Sequence, residues 1–399
     1  MSHFGRSLNQ KLTKEKCFRF REQLRKRRFE IIDILINVET FSMAEDELFR
    51  SEDLLSNIDR QSDYLDQNFE KKVSSFLPLN QPLYSYILQV FLPSLVLKQV
   101  FYRPPASQIA IYTQLNHIFS HVSDNITLCA VSRRTFLNEF VSQSNILNFT
   151  GKYENVLDLI NELPVNTSVI YNGSAVNPIV VGNDANIVRA AKDSLEARFY
   201  NSGQDCMAPA CVFVKKEISQ EYIQIVKQEL QSIEGYIGKS NSSIGKMLET
   251  KSIDEFKVFL KLYGKNVVYG GEYDHDKMLI YPTVFYFNKW RSDLARIYYS
   301  PCLFVIEYQD ISEIQDYLNL KFCKRYAGYI SLYGESLKIY QWKSSGVQLI
   351  QLYNQTLISA ENGNEEFGGY GEGCSFVMHN GVIVAKPILV LREIHNIFS

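Results

Sequence analysis

Between Tyr84 and Phe149 the chain alternates stretches of helical apolar spacing with short apolar runs that stop on turn-forming residues. No other feature restricts the fold as strongly, because the two periodicities belong to different backbone geometries. The spacing predicts a helix over 84–97, and the run Gln99 to Arg103, halted by Pro104-Pro105, reads as a buried strand. The unit then recurs: a helix over 107–122, a strand over 126–131, a helix over 135–143 and a strand over 146–149 ending at Thr150-Gly151. Strands and helices alternating in this way form a mostly parallel sheet covered by helices, with nucleotides bound at the strand ends. A second α/β unit starts with a strand at 178–182 and a helix over 186–200, and continues through candidates at 221–232, 252–263, 267–268 and 279–280. A charged, helix-prone front end covers 12–65, with apolar positions at Phe29, Ile32, Leu35 and Ile36. Glu361 to Gly373 reads as a loop, and Val382 to Ile394 alternates like a strand.

With 399 residues, 46% of them hydrophobic, the chain can bury two cores, and 22% charged residues place it among ordinary globular proteins. A net charge of -2 supplies no electrostatic reason to expect nucleic acid or an anionic membrane as partner. The basic run Arg19 to Arg28 is balanced by acidic residues between Glu39 and Asp59, as on a solvated helix face. Met1 to Cys17 has no apolar core of signal-peptide length, and no apolar run approaches the roughly 20 residues that span a bilayer. The expectation is a cytoplasmic protein. Seven cysteines without a C-x-x-C pair argue against a disulfide framework and against a metal site.

One cysteine has a special setting. Cys206 lies in Phe199-Tyr-Asn-Ser-Gly-Gln-Asp-Cys-Met-Ala-Pro209, which resembles the F-x-N-x-G-Q-x-C-x-A-P signature around the catalytic cysteine of the aldehyde dehydrogenase superfamily. Further segments resemble that family in the same order along the chain. They are Pro78-Leu-Asn-Gln-Pro82, Phe101-Tyr-Arg-Pro-Pro-Ala106, Phe149-Thr-Gly151, Pro282-Thr-Val284, Tyr299-Ser-Pro301 and Glu366-Phe-Gly-Gly-Tyr370. The resemblance implies a Rossmann-type cofactor domain and an α/β catalytic domain, divided as 1–171 and 172–371. A C-terminal segment, 372–399, would return to the first domain or to a partner subunit. It implies Cys206 as the nucleophile and Asn80 as donor to the oxyanion formed at a carbonyl. Pro78, Arg103, Thr150 and Gly151 would hold NADP or NAD; Phe367, Gln204 and Asp205 would face an aldehyde or acyl substrate. Arg103 replaces a family Lys and Ala106 a family Glu, which tilts the cofactor expectation toward NADP, because a guanidinium pairs with a phosphate in a forked geometry.

The chain also departs from the family. Where hydrolytic members carry a general-base Glu, this sequence has Asn172, which cannot accept a proton at neutral pH. The Glu that holds the nicotinamide ribose is replaced by Ile297. Asp205 would disfavour the thiolate beside it unless its side chain faces solvent, the arrangement expected here. Only Asp63 to Leu77 is available for the family's oligomerisation hairpin, so the hairpin is expected to be short or absent, although a homodimer through the terminal strand stays open. These features favour an NAD(P)-dependent oxidoreductase that reduces or transfers acyl groups through a Cys206 adduct over one that hydrolyses them. A catalytically silent binding or scaffold protein is the alternative.

Overall fold

The structure, a computed structural model, describes residues 3–233, 237–239 and 242–399. Three helices, His3–Lys26, Arg28–Leu35 and Phe41–Ser56, form the front end. They bury Phe20, Leu24, Ile32, Leu35, Leu48 and Leu54, while Phe29 and Ile36, counted as apolar-face residues from their spacing, are exposed.

Two seven-stranded sheets follow. In the first, the order is Val382–Ala385, Ser375–His379, Ser168–Asn172, Ile146–Thr150, Phe69–Phe76, Leu97–Arg103 and Ile126–Leu128. The five strands from Ser168–Asn172 onward in that order are parallel, whereas Ser375–His379 joins antiparallel, with Met378 opposite Val169. The second sheet runs Ile350–Tyr353, Tyr329–Tyr333, Ile179–Val181, Val212–Lys215, Cys302–Tyr308, Thr283–Phe287 and Val267–Tyr269, with only the last strand antiparallel. One apolar core joins the sheets, holding Phe149 and Tyr171 of the first together with Phe213 and Phe304 of the second. The parallel strands of the first sheet therefore end, at their carboxyl edge, in the segments that carry Pro78, Arg103, Thr150 and Asn172.

Several sequence expectations are revised. Phe69–Phe76, assigned no strand, is central: its polar look arises because Ser74 and Ser75 are buried and satisfied by tertiary partners, the Ser144 hydroxyl at 2.9 Å and the Gln89 carbonyl at 2.8 Å. Cys302–Tyr308 and Tyr329–Tyr333 are further strands with no sequence assignment. The interval from Asp63 to Leu77 holds that central strand and no protruding hairpin. Val382 to Ile394 is not one strand. Only Val382–Ala385 is extended, and after Pro387 the apolar spacing changes to helical, so Val390–Phe398 is a helix burying Leu391 and Ile394.

Candidate active site

The turn that carries Cys206 is shaped by its backbone. After the helix Ile187–Phe199, three successive residues are left-handed, Asn201 (φ 45°), Ser202 (φ 61°) and Gly203 (φ 71°). At Gly203 a Cβ would lie 2.3 Å from the Ser300 carbonyl oxygen, so only glycine fits. Arg198, itself buried, braces the turn by donating to the carbonyls of Gly203 (3.2 Å), Ser300 (2.8 Å), Tyr298 (2.9 Å) and Pro209 (3.1 Å). Its guanidinium also stacks 4.1 Å from the centre of the Tyr298 ring. The Gln204 amide is spent on backbone: Oε1 accepts from the Leu248 N–H at 2.7 Å, and Nε2 donates to the Asn201 and Lys246 carbonyls at 3.3 Å. Gln204, expected as a substrate contact, thus ties the loop to its neighbours, and it also lines the cavity that holds Cys206.

Asp205 overturns one expectation. Its side chain does not face solvent: the residue is 3% exposed, Oδ1 accepts from the Met207 N–H at 2.7 Å and Oδ2 from Gln81 Nε2 at 3.1 Å. Burial raises its pKa, against the lowering pull of the Met207 N–H and of Arg50 and Arg198. The Cys206 thiol is pushed well above its ordinary value, by burial first and then by the charges of Asp205 and Glu361. Cys206 itself packs with Ile350, Leu352 and Phe367 against an apolar cluster that includes Met207, Tyr329 and Leu357.

A cavity of about 1190 Å³ receives all nine residues singled out from the sequence: Pro78, Asn80, Arg103, Thr150, Gly151, Gln204, Asp205, Cys206 and Phe367. Asn172 and Tyr299 line it too. The Asn80 carboxamide makes no hydrogen bond among the described residues, and it does not cap the next helix, whose N-cap is Gln81 in a left-handed conformation (φ 51°). That helix, Pro82–Tyr86, is instead capped from afar by Glu47, which accepts the Tyr84 N–H at 2.8 Å. Thr150 accepts Gln89 Nε2 at 2.7 Å, and Gly151 precedes the helix Tyr153–Ile160. Arg103 spends Nε on the Val131 carbonyl at 3.0 Å, and neither it nor neighbouring Arg133 forms an ion pair among the described residues. Burial first, and then the Arg133 charge, lower the Arg103 pKa. Ile297 packs against the core.

Sequence reasoning missed Arg198, Glu47, Gln81, Arg133 and Glu361. Arg198, Glu47 and Gln81 act through partners distant in sequence, Arg133 is brought near Arg103 only by the fold, and Glu361 sits in a stretch that reads as a loop.

The aldehyde dehydrogenase family profile matches residues 73–374. The chain belongs to the aldehyde dehydrogenase family. A lactaldehyde dehydrogenase of Methanococcus aeolicus is 26% identical over 180 residues, 44% of this chain and 38% of that protein. Aldehyde dehydrogenase 1 of Entamoeba histolytica is 26% identical over 206 residues, 50% and 37% of the two chains. The match thus spans well under half the length of these curated relatives. Among solved structures, a glyceraldehyde-3-phosphate dehydrogenase of Methanocaldococcus jannaschii complexed with NADP superposes with a TM-score of 0.77 at 16% identity, covering 94% of this chain and 90% of that one. A betaine aldehyde dehydrogenase of Staphylococcus aureus in complex with NAD+ gives 0.78 at 13% identity, covering 97% and 82%. This aldehyde dehydrogenase family chain therefore has the family's fold, with Asn172 on the cavity wall.

Proposed function

We propose that this protein is an NAD(P)-dependent oxidoreductase acting on an aldehyde or an activated acyl group through a covalent adduct on Cys206. The observation that carries the reading is one cavity lined by Cys206, by Asn80 with an uncommitted carboxamide, and by the strand-end segments Pro78, Arg103 and Thr150-Gly151. Cys206 Sγ adds to the carbonyl carbon, and the oxygen that becomes an oxyanion is stabilised by the Asn80 amide and the Cys206 N–H. Arg103 and Arg133, with no ion pair among the described residues, favour a bound phosphate, which supports NADP over NAD. When bound, the dinucleotide supplies or accepts hydride at the substrate carbon. Asn172 cannot activate water, so an acyl-cysteine is long-lived toward hydrolysis and is reduced or passed to another nucleophile.

The high thiol pKa favours a second reading, a silent binding protein. One experiment separates them: fluorescence titration with NADP(H) and NAD(H), followed by intact mass after exposure to aldehydes and acyl thioesters. Nucleotide binding with a mass adduct that disappears in Cys206→Ala supports the enzyme; absence of both rejects it.

A further inference from the structure

Any thiol that adds to a carbonyl must lose a proton, and burial makes the free thiolate costly at Cys206. The cavity has no histidine on its wall, and five carboxylate residues line it: Asp205, Glu249, Glu361, Glu365 and Glu366. Four are unsuited. Asp205 has both oxygens engaged. Glu365 is tied to Arg60 at 3.1 Å and Glu366 to Arg392, both at the solvent side, and Glu249 is exposed. Tyr299 has its hydroxyl on Ser174, and burial raises its pKa.

Glu361 differs. Its side chain is 11% exposed, and Oε2 accepts from Arg50 Nη1 at 2.6 Å. Arg50 is fixed in turn by Asp46 at 2.7 Å and the Ile358 carbonyl at 3.2 Å, while Asp46 also takes the Tyr200 hydroxyl at 2.6 Å. This clamp grips one oxygen of Glu361 and leaves Oε1 without a hydrogen bond among the described residues, on a side chain that lines the same cavity as Cys206.

We propose that Glu361 is the proton acceptor and donor for Cys206. The inference rests on the Cys206-adduct reading above. As the Sγ–C bond forms, the Sγ–H bond breaks and its proton moves to Glu361 Oε1; the carbonyl π pair goes to oxygen, leaving an oxyanion and a neutral carboxylic acid. If the adduct collapses by breaking the Sγ–C bond, the proton returns to sulfur; if it collapses by breaking the bond to a leaving group, the proton goes to that group and a thioester remains on Cys206.

The electrostatics fit this exchange. Burial pushes Glu361 up to about 7, Arg50 opposes the rise, and Asp205 and Asp46 add to it. The charged and titratable groups around it are Arg50 and Asp46 on the helix Phe41–Ser56, Tyr84, Tyr200, Asp205, Cys206 and Tyr329. The ionised Glu361 in turn raises the thiol pKa, so before the carbonyl arrives the proton stays on sulfur.

The test is the burst of p-nitrophenolate released when p-nitrophenyl acetate acylates the full-length protein, followed across pH. In the unaltered protein the burst rate should rise with pH around a midpoint of about 7, and Cys206→Ala should abolish it. Glu361→Gln should slow the burst on the order of 100-fold and remove that midpoint while nucleotide affinity stays unchanged; Glu361→Asp should recover part of the rate. Asp46→Asn, a same-shape change, should move the midpoint to lower pH, because Asp46 is one of the charges that raise Glu361, and it carries the test if Glu361→Gln fails to fold. A Cys206-dependent burst indifferent to both variants overturns the proposal and leaves the adduct reading intact. No Cys206-dependent burst at all overturns both.

Discussion

Arg198 Nη2 donates to the Ser300 carbonyl at 2.8 Å, joining the turn that presents Cys206 to the segment entering the central strand Cys302–Tyr308. The guanidinium is buried, and the residue donates to four different carbonyls. Its role is the placement of the turn. Arg198→Met keeps the volume and leaves those carbonyls unpaired, each costing about 1–3 kcal/mol if water cannot reach it. Urea denaturation should show a loss of several kcal/mol, and the folded variant should acylate slowly because Gly203 and Cys206 lose their support.

Asn80 lines the cavity, and its carboxamide makes no hydrogen bond among the described residues. Removing an oxyanion donor costs roughly 10²- to 10³-fold in turnover. Asn80→Ala should therefore lower kcat by that order, with the Kd for NADP(H) unchanged in a fluorescence titration. An equal loss in nucleotide affinity would place Asn80 in cofactor binding.

At Asn172, on the same wall, a carboxylate would restore the water-activating group expected of hydrolytic relatives. Asn172→Glu should shorten the life of an acyl-Cys206, turning a single burst of p-nitrophenolate into a burst followed by steady release. Intact-mass spectra should then lose the acetylated species within the time that the unaltered protein retains it.

Asp205 sits next to the thiol and raises its pKa by charge repulsion. In Asp205→Asn the repulsion is gone while an amide oxygen can still accept the Met207 N–H, so the thiolate forms at lower pH. The pH midpoint of Cys206 alkylation by iodoacetamide should shift downward. An unmoved midpoint would show that burial and the other charges near the thiol, Glu361 among them, set it.

The short-range signals in this chain determined the alternating helix and strand units, the turn around Gly203 and the ordered series of segments from Pro78 to Tyr370, since each is written in a few neighbouring residues. The same signals brought nine candidate residues to notice, and all nine line one cavity. Only the tertiary structure decided what those residues face. Ser74 and Ser75 became part of a central strand because Ser144 and Gln89 satisfy their hydroxyls, a pairing invisible in a local window. Asp205 turned inward because Gln81, 124 residues earlier, reaches it, and Glu361 gained a fixed carboxylate because Arg50, 311 residues away, grips one oxygen. Hydrogen bonds and burial of that range act only once the chain has closed on itself, so the protonation of the site is a property of the fold.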